Sequence, residues 1–190
     1  MEISKEANLP TKFGDFIIQS FRENDDKCLE HLVLRSKDLG EIPLVRVHSE
    51  CMTGDVFGSR KCDCGDELEM AMKKIAKENG MIIYLRQEGR GIGLFNKINA
   101  YNLQDNGSDT IEANHKLGFE ADLRDYHIVG KIFDYYGIKS VRLLTNNPKK
   151  ISEISKFAQV QRESIIVAPN QHNKKYLQIK QEKLGHLLES

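Results

Sequence analysis

The sequence predicts an α/β protein: a mixed β-sheet flanked by helices, built as a single domain over residues 1–190. Three observations support this fold class. β-type runs open the chain, apolar runs of strand length then alternate with segments of helical periodicity, and a length of 190 residues suits one domain with a substantial core. No linker, internal repeat or low-complexity tract divides the chain.

The first half of the chain predicts a meander followed by a helix and a strand. Leu68, Met72 and Ile75 recur at helical spacing, and Asn79-Gly80 ends that helix. A glycine-rich loop and a second helix come after the next strand. In order, the predicted elements are the three meander strands 15–21, 31–35 and 42–48, the strand 81–85, the loop 88–93 and the helix 96–104.

The second half predicts two more helices and two more strands. A helix over 126–136 stops at Gly137, and Pro148 begins another at the first helical position, which proline favours. The predicted strands are 140–144 and, as the last one, 164–167. The tail from about residue 170 is rich in lysine and glutamine, which predicts a solvated helix.

The charge balance argues against a polyanionic partner. Lysine and arginine total 28, as do aspartate and glutamate, so no overall field attracts nucleic acid or a membrane surface. No stretch approaches the roughly 18 apolar residues of a membrane span, and the N-terminus lacks a secretory pattern. We therefore expect a cytoplasmic enzyme, in which closely spaced cysteines are metal ligands or catalytic thiols rather than disulfides.

Three of the four cysteines, Cys51, Cys62 and Cys64, lie within fourteen residues. A thiolate triad predicts one zinc ion with a fourth position open for a reactive water. Two alternatives remain: Cys28 or His48 closes the shell around a structural zinc, or the thiols are ordinary buried cysteines. We predict the other histidines (His31, His115, His127, His172 and His186) to be surface or core residues.

Three thiolates would leave the zinc centre with a formal charge of minus one. Nearby cations are therefore expected to assist it, and Arg60 and Lys61 are adjacent in sequence. Gly54 and Gly58 would let the intervening loop fold back.

Two segments are candidates for binding an anion. The loop 86–93 contains Arg86 and Arg90 in a glycine-rich turn between a strand and a helix, although a tight structural turn would explain the glycines equally well. The segment 145–150 joins a strand end to a helix N-terminus and carries Lys150, but Asn147 before Pro148 also fits an ordinary helix cap.

Five motifs in one order resemble GTP cyclohydrolase II in its stand-alone form. The resemblance spans roughly Leu9 to the C-terminal end. The motifs are RVHSEC at 46–51, RKCDCG at 60–65, RQEGR at 86–90, EANH at 112–115 and LLTNNPKK at 143–150.

The resemblance implies an activity, two metals and a partner. The activity is hydrolysis of GTP to 2,5-diamino-6-(ribosylamino)pyrimidin-4-one 5'-phosphate, formate and pyrophosphate, the first step of riboflavin biosynthesis. The implied cofactors are Zn²⁺, one per subunit, and Mg²⁺ with the substrate phosphates, in a homodimer. The implied zinc ligands are Cys51, Cys62 and Cys64; the implied GTP contacts are Arg46, Val47, His48, Ser49, Glu50, Glu67, Glu88, Gly89, Arg90, Thr110, Thr145 and Lys150.

The resemblance also implies catalytic roles for Tyr101, Asp122 and Arg124. Tyr101 would donate or relay a proton. In the family Arg124 is assigned as a nucleophile toward the α-phosphate with Asp122 as its proton acceptor. Since arginine stays protonated, we expect Arg124 to stabilise charge instead. Without the resemblance, Asp122 and Arg124 would be interpreted as a surface ion bridge.

One departure from the family bears on substrate choice. Glu67 stands where the family commonly has glutamine. Its carboxylate would accept hydrogen bonds from the guanine N1–H and 2-amino group, or would weaken binding if it faced a phosphate. Two competing hypotheses are a relative that opens GTP but keeps the triphosphate, and a non-catalytic nucleotide or RNA module with a structural zinc.

Overall fold

The computed structural model describes residues 1–24, 28–120 and 122–187. Within them the strands are β1 (Glu2–Ile3), β2 (Ala7–Thr11), β3 (Gly14–Arg22), β4 (Glu30–Arg35), β5 (Leu44–Ser49), β6 (Gly80–Leu85), β7 (Ser140–Leu144) and β8 (Gln159–Glu163). The helices are α1 (Met52–Asp55), α2 (Cys64–Glu78), α3 (Gly93–Asp105), α4 (Thr110–Lys116), α5 (His127–Tyr136), α6 (Pro148–Ile154) and α7 (Lys174–Leu184), with a 3₁₀ turn at Glu88–Gly91.

The eight strands form one mixed sheet in the order β1-β3-β4-β6-β5-β7-β8, with β2 beside β3. Strands β1 to β4 pair antiparallel and β4 pairs antiparallel with β6, whereas β6, β5, β7 and β8 are parallel. The parallel strands β5 and β6 are almost wholly buried, as expected where helices cover both faces. The predicted α/β class with a mixed sheet is confirmed.

Two apolar layers hold the helices against the sheet. Alternation along the strands separates them: Val45 packs on one face, while Leu44 packs on the other. Helix α5 covers the first face through Ile128 and Ile132. Helix α2 covers the second through Ala71, Met72 and Ile75, the last two of which belong to its predicted apolar stripe.

Three predictions about elements are wrong. The meander is interrupted, because β6 inserts between β4 and β5 and makes β5 parallel to it. The last strand is Gln159–Glu163 rather than 164–167, since β8 pairs with β7 while Ile165 turns into the core. The tail helix α7 is only partly solvated: Leu177 is buried, and so is Lys180.

The topology assembles the loops that carry the motifs. Parallel strands β5, β6 and β7 all end at one edge of the sheet, which is where open α/β sheets place their ligands. Three segments therefore meet there: the one leading to Cys51, the turn Glu88–Gly91 and the segment from Thr145 to Asn147. In the described part of the chain, none of the helices has the length and apolar character required to span a bilayer.

Candidate active site

The three clustered cysteines converge at the carboxyl edge of the sheet. Cys51 follows β5, Cys62 lies two residues before α2, and Cys64 is the first residue of α2. The three sulfur atoms all lie within 4.8 Å of one another. The Sγ atoms of Cys51 and Cys62 are 3.7 Å apart. Two thiolates on one tetrahedral zinc, each at about 2.3 Å, would be separated by about 3.8 Å, so the observed spacing fits this ion.

Gly54 and Gly65 allow the segments that carry the cysteines to approach each other closely. A Cβ atom on Gly54 would lie 3.1 Å from the Sγ of Cys62 and 3.2 Å from that of Cys51, and one on Gly65 would lie 2.4 Å from the carbonyl oxygen of Gly54. Gly58 has a positive φ of 62°. Side chains at Gly54 and Gly65 would therefore push apart the segments that bring the sulfurs together.

Without a bound cation, ionisation of one of the three thiols opposes ionisation of the others. Hydrogen bonding to Cys62 and Cys64 lowers the pKa of Cys51, with Lys97 contributing. The contact with Cys51, together with burial, raises the pKa of Cys62 to about 12. Hydrogen bonding to both neighbouring thiols, together with burial, raises the pKa of Cys64. A divalent cation would remove this conflict, because it stabilises all three thiolates together.

Neither alternative fourth ligand joins the cluster. The Nε2 atom of His48 faces Asp55, at 3.1 and 3.2 Å from its two oxygens, and the ring stacks on Tyr84. Among the described residues, the cysteines are the one group of three or more His, Cys, Asp or Glu side chains with metal-ligand spacing, and Cys28 is outside it. The geometry therefore favours three protein ligands and an open fourth position.

The cation beside the sulfurs comes from another helix than expected. Arg60 is exposed, and Lys61 pairs with Asp105 at 2.7 Å. Instead, the Nζ of Lys97 lies 3.1 Å from the Sγ of Cys51 and 2.7 Å from Glu88. Sequence reasoning missed Lys97, although it precedes Tyr101 by one helical turn on a helix that was predicted, which was an available signal.

A cavity of about 620 Å³ extends from the sulfurs to a group of buried cations. Its lining includes Arg46, Arg124, Lys150 and Lys180. The Nζ of Lys150 donates to the carbonyl oxygen of Val47 at 2.7 Å. Burial, together with the charges of Arg46 and Arg124, holds the pKa of Lys150 well below its ordinary value. An anionic ligand beside Lys150 would oppose these effects and favour its charged form.

Several buried donors face this cavity without a protein acceptor. Among the described residues, none accepts from the Nε of Arg46 or the Nη1 of Arg90, and the hydroxyl of Ser49 also has no partner. Arg90 has a φ of 61°, a conformation that is costly for a residue with a side chain. Buried donors without partners and a strained arginine are typical of a site whose hydrogen bonds are completed by a ligand.

Asp122 and Arg124 form a bidentate pair that lines the cavity. The Nε and Nη2 of Arg124 each donate to one oxygen of Asp122 at 2.9 Å. Burial opposes ionisation of both groups, but their mutual contact lowers the pKa of Asp122 and raises that of Arg124. The pair therefore stays charged, and it belongs to the cavity wall rather than to the outer surface.

Tyr101 lines the cavity near the sulfur atom of Cys51. Its hydroxyl is 3.2 Å from the Oγ1 of Thr53, which is itself 3.6 Å from the Sγ of Cys51. Burial raises the pKa of Tyr101 above its ordinary value. The phenol therefore keeps its proton at neutral pH and can donate it.

The structure places nearly all of the predicted site residues around one cavity. Two do not contribute a described side chain to it: that of Val47 is in the core, and that of Thr110 lies outside the described part of the chain. The residues on the cavity wall are Arg46, His48, Ser49, Glu50, Cys51, Cys62, Cys64, Glu67, Glu88, Gly89, Arg90, Tyr101, Asp122, Arg124, Thr145 and Lys150.

The C-terminal segment supplies further cavity residues that sequence reasoning missed. Lys180 on α7 donates to both oxygens of Asp63, at 3.0 and 2.9 Å. Tyr176, His172 and His186 also line the cavity, and His172 is exposed at the same time. Burial and nearby Lys180 lower the pKa of His186 to about 3, which keeps its imidazole neutral. No sequence signal connects this lysine-rich tail to the cysteines.

Glu67 is directed toward a cation. Its Oε2 lies 2.5 Å from the Nη2 of Arg46, and its Oε1 lies 3.9 Å from the Nζ of Lys180. Burial acts to raise the pKa of Glu67, but Arg46 and Lys180 outweigh it and lower the pKa to about 2. Glu67 therefore holds Arg46 in place as a permanent anion.

Replacing Glu67 with glutamine is expected to destabilise the fold at neutral pH. The pKa is about 2 in the folded protein against 4.5 ordinarily, so the carboxylate stabilises the fold above pH 4.5 and loses that effect as pH falls toward 2. Urea unfolding at pH 7 should show a loss on the order of 3 kcal/mol for E67Q, which shrinks below pH 4.5.

The exposed Glu69, which pairs with Lys73 on the same helix, provides the matched control. E69Q should leave the unfolding midpoint unchanged at every pH, because an exposed pair contributes little. A pH-independent loss in E67Q would contradict the electrostatic explanation.

The fold and the cavity define a class of protein: an α/β enzyme with a cysteine group that can bind a metal, beside a pocket for an anionic ligand. Comparison with known proteins identifies the family. Residues 2–160 match the family model described as GTP cyclohydrolase II. The chain belongs to the GTP cyclohydrolase II family.

Relatives of nearly the same length support this assignment. The chain is 60% identical over 189 residues to the GTP cyclohydrolase-2 of Helicobacter acinonychis (strain Sheeba), covering 99% of this chain and 98% of the relative. It is 61% identical to that of Helicobacter hepaticus, covering 98% of each. It is 57% identical to that of Campylobacter hominis, covering all of this chain and 96% of the relative.

Proposed function

We propose that this protein hydrolyses GTP to 2,5-diamino-6-(ribosylamino)pyrimidin-4-one 5'-phosphate, formate and pyrophosphate, the first step of riboflavin biosynthesis. One observation carries the proposal: a three-sulfur cluster with zinc spacing and a group of cations line the same cavity. A nucleoside triphosphate suits such a cavity, because its base can lie beside the metal while its phosphates contact the cations.

The reaction requires three bonds of GTP to break. Carbon 8 leaves the purine as formate once its bonds to both ring nitrogens are hydrolysed, and pyrophosphate leaves when the bond between the α- and β-phosphates is hydrolysed. One water molecule is consumed for each bond. Cys51, Cys62 and Cys64 would hold a zinc ion, which would supply a Lewis acid able to activate water.

The protein's own groups bind the substrate and move protons. The phenol of Tyr101 is proposed to donate its proton to a ring nitrogen as the C–N bond breaks. Arg124, oriented by Asp122, and Lys150 bind the phosphates and stabilise the charge that develops there. Magnesium would enter with GTP and would supply positive charge that offsets the phosphates.

Incubation of the purified protein with GTP and Mg²⁺ tests this proposal. We expect equimolar formate and pyrophosphate, measured by coupled enzyme assays, and a diaminopyrimidine product of the expected mass. A product that retains the triphosphate would support the competing ring-opening hypothesis. If neither formate nor a diaminopyrimidine forms with zinc-loaded protein, the proposal is wrong.

The proposal includes a homodimer in the cytoplasm. Helix α3 exposes large apolar side chains, Phe95 at 80% and Ile98 at 48%, and such patches mark interaction surfaces. Sedimentation equilibrium should show a dimer for the wild type, weakened by F95D. A wild-type monomer at micromolar concentration would contradict this assembly. A reducing cytoplasm would keep the three cysteines available as metal ligands.

A further inference from the structure

We propose that Lys97 is a positioning residue for the metal centre: its ammonium group donates a hydrogen bond to the thiolate of Cys51 and offsets the excess negative charge of the three sulfurs. This inference rests on the metal centre proposed above. The sequence predicted Arg60 and Lys61, next to Cys62, as the assisting cations, whereas this proposal assigns that role to Lys97 of α3.

The contacts of Lys97 fix its ammonium group against the sulfur. Its Nζ lies 3.1 Å from the Sγ of Cys51 and 2.7 Å from the Oε1 of Glu88, and the residue is 9% exposed. A long flexible side chain is thus held in one orientation, with two of its three N–H groups assigned to acceptors.

Glu88 is itself held rigidly. Its Oε2 accepts from the backbone N–H of Met52 at 2.6 Å, and its Oε1 accepts from that of Gly89 at 2.7 Å. Gly89 has a positive φ of 62°, and a Cβ atom there would lie 3.2 Å from the Cβ of Lys97. The turn Glu88–Gly91 therefore both anchors the carboxylate and leaves room for the lysine stem.

The charge of the centre explains why a cation is required at this position. Three thiolates and one divalent zinc carry a net charge of minus one, and electron donation from sulfur weakens the ion as a Lewis acid. A charged hydrogen-bond donor on one sulfur withdraws part of that electron density. Partners of metal ligands commonly change metal affinity or activity by about 10–100-fold.

A purely structural role is the alternative. In that case the ion pair with Glu88 would only attach α3 to the turn, and removing the lysine charge would change folding but not the electronic state of the sulfurs. A spectroscopic signal from the sulfur–metal bond separates the two roles.

The experiment replaces zinc with Co²⁺ in the full-length protein and records the sulfur-to-cobalt charge-transfer band. We expect K97M to move the band to longer wavelength, because the sulfur electrons are held less tightly, and K97R to restore much of the shift. K61M is the matched control: Lys61 lies 5.0 Å over the ring of Tyr101 but pairs with Asp105, so K61M should keep the wild-type band.

Zinc competition and kinetics give independent measurements. Against a chromophoric chelator, the Kd of K97M for zinc should rise about 10–100-fold. Its kcat should fall by a similar factor, with little change in KM for GTP. If K97M fails to fold by circular dichroism, K97Q replaces it and should shift the band in the same direction, because it also removes the positive charge.

Two failures are distinguishable. A folded K97M with the wild-type cobalt band and zinc affinity would overturn the role of Lys97 and leave the metal centre standing. An equal shift in K61M would also overturn it, since a general loss of positive charge would then be sufficient. A wild-type protein that binds no Co²⁺ or Zn²⁺ would refute the metal centre itself.

Discussion

Cys62→Ser is expected to abolish both metal binding and formate release. Serine is a poor zinc ligand, and the two remaining sulfurs would have to hold the ion alone. Metal-ion catalysis supplies several kcal/mol of transition-state stabilisation, so activity should fall by at least about 10³-fold. Zinc content by atomic absorption and formate release from GTP measure the two effects on the same preparation.

Cys28→Ser is the control for this prediction. Cys28 is exposed and does not belong to the sulfur cluster, so C28S should keep wild-type zinc content and activity. The hypothesis of a closed structural zinc predicts the reverse for C28S. Loss of zinc in C28S, or normal formate release by metal-free C62S, would refute the three-ligand centre.

The sequence predicted the central elements well where local patterns coincide with tertiary burial. The strand 140–144 matches β7, because a short apolar run bounded by Gly137 and a helix cap has few other solutions. Asn147 does cap α6, since its side chain accepts from the backbone N–H of Lys150 at 3.1 Å. This cap and an anion-binding role are compatible, because the side chain of Lys150 also lines the cavity.

The predicted last strand, 164–167, is wrong because the buried residue of this segment packs in the core without pairing as a strand. Ile165 is buried by packing on the face covered by α2, and its N–H donates to the side-chain oxygen of Asn146. The true strand β8 is an edge strand with mostly exposed residues, so it carries little apolar signal. Pairing with β7, a tertiary property, decides which segment becomes the strand.

The motifs predicted the wall of the cavity but not its charge partners. Lys97 and Lys180 contact Cys51 and Asp63 across sequence separations of 46 and 117 residues. Such contacts arise from the packing of α3 and α7, which no local pattern encodes. The cations adjacent in sequence, Arg60 and Lys61, were therefore a reasonable but wrong choice.

Arg124→Met is expected to slow pyrophosphate release about 10³-fold, and Arg124→Lys about 10²-fold. The guanidinium donates two hydrogen bonds to Asp122 and remains protonated, so it has no free lone pair to attack phosphorus. It can stabilise phosphoryl charge, and a lost donor of this kind costs about 10²–10³ in kcat. Lysine keeps the charge but not the fork that binds two oxygens.

The nucleophile hypothesis makes a different prediction for the wild-type enzyme. It requires a phosphorus–nitrogen bond on Arg124 during turnover, which intact-protein mass spectrometry after an alkaline quench would detect. R22K is the matched substitution: Arg22 is exposed and pairs with Glu2 and Glu30, so R22K should leave the rate unchanged. A phosphorus–nitrogen adduct on Arg124 alone in the wild-type enzyme would overturn charge stabilisation. A slow R124K, together with no adduct in the wild type, supports it. In that case the lysine amine would be present but unable to replace the planar guanidinium.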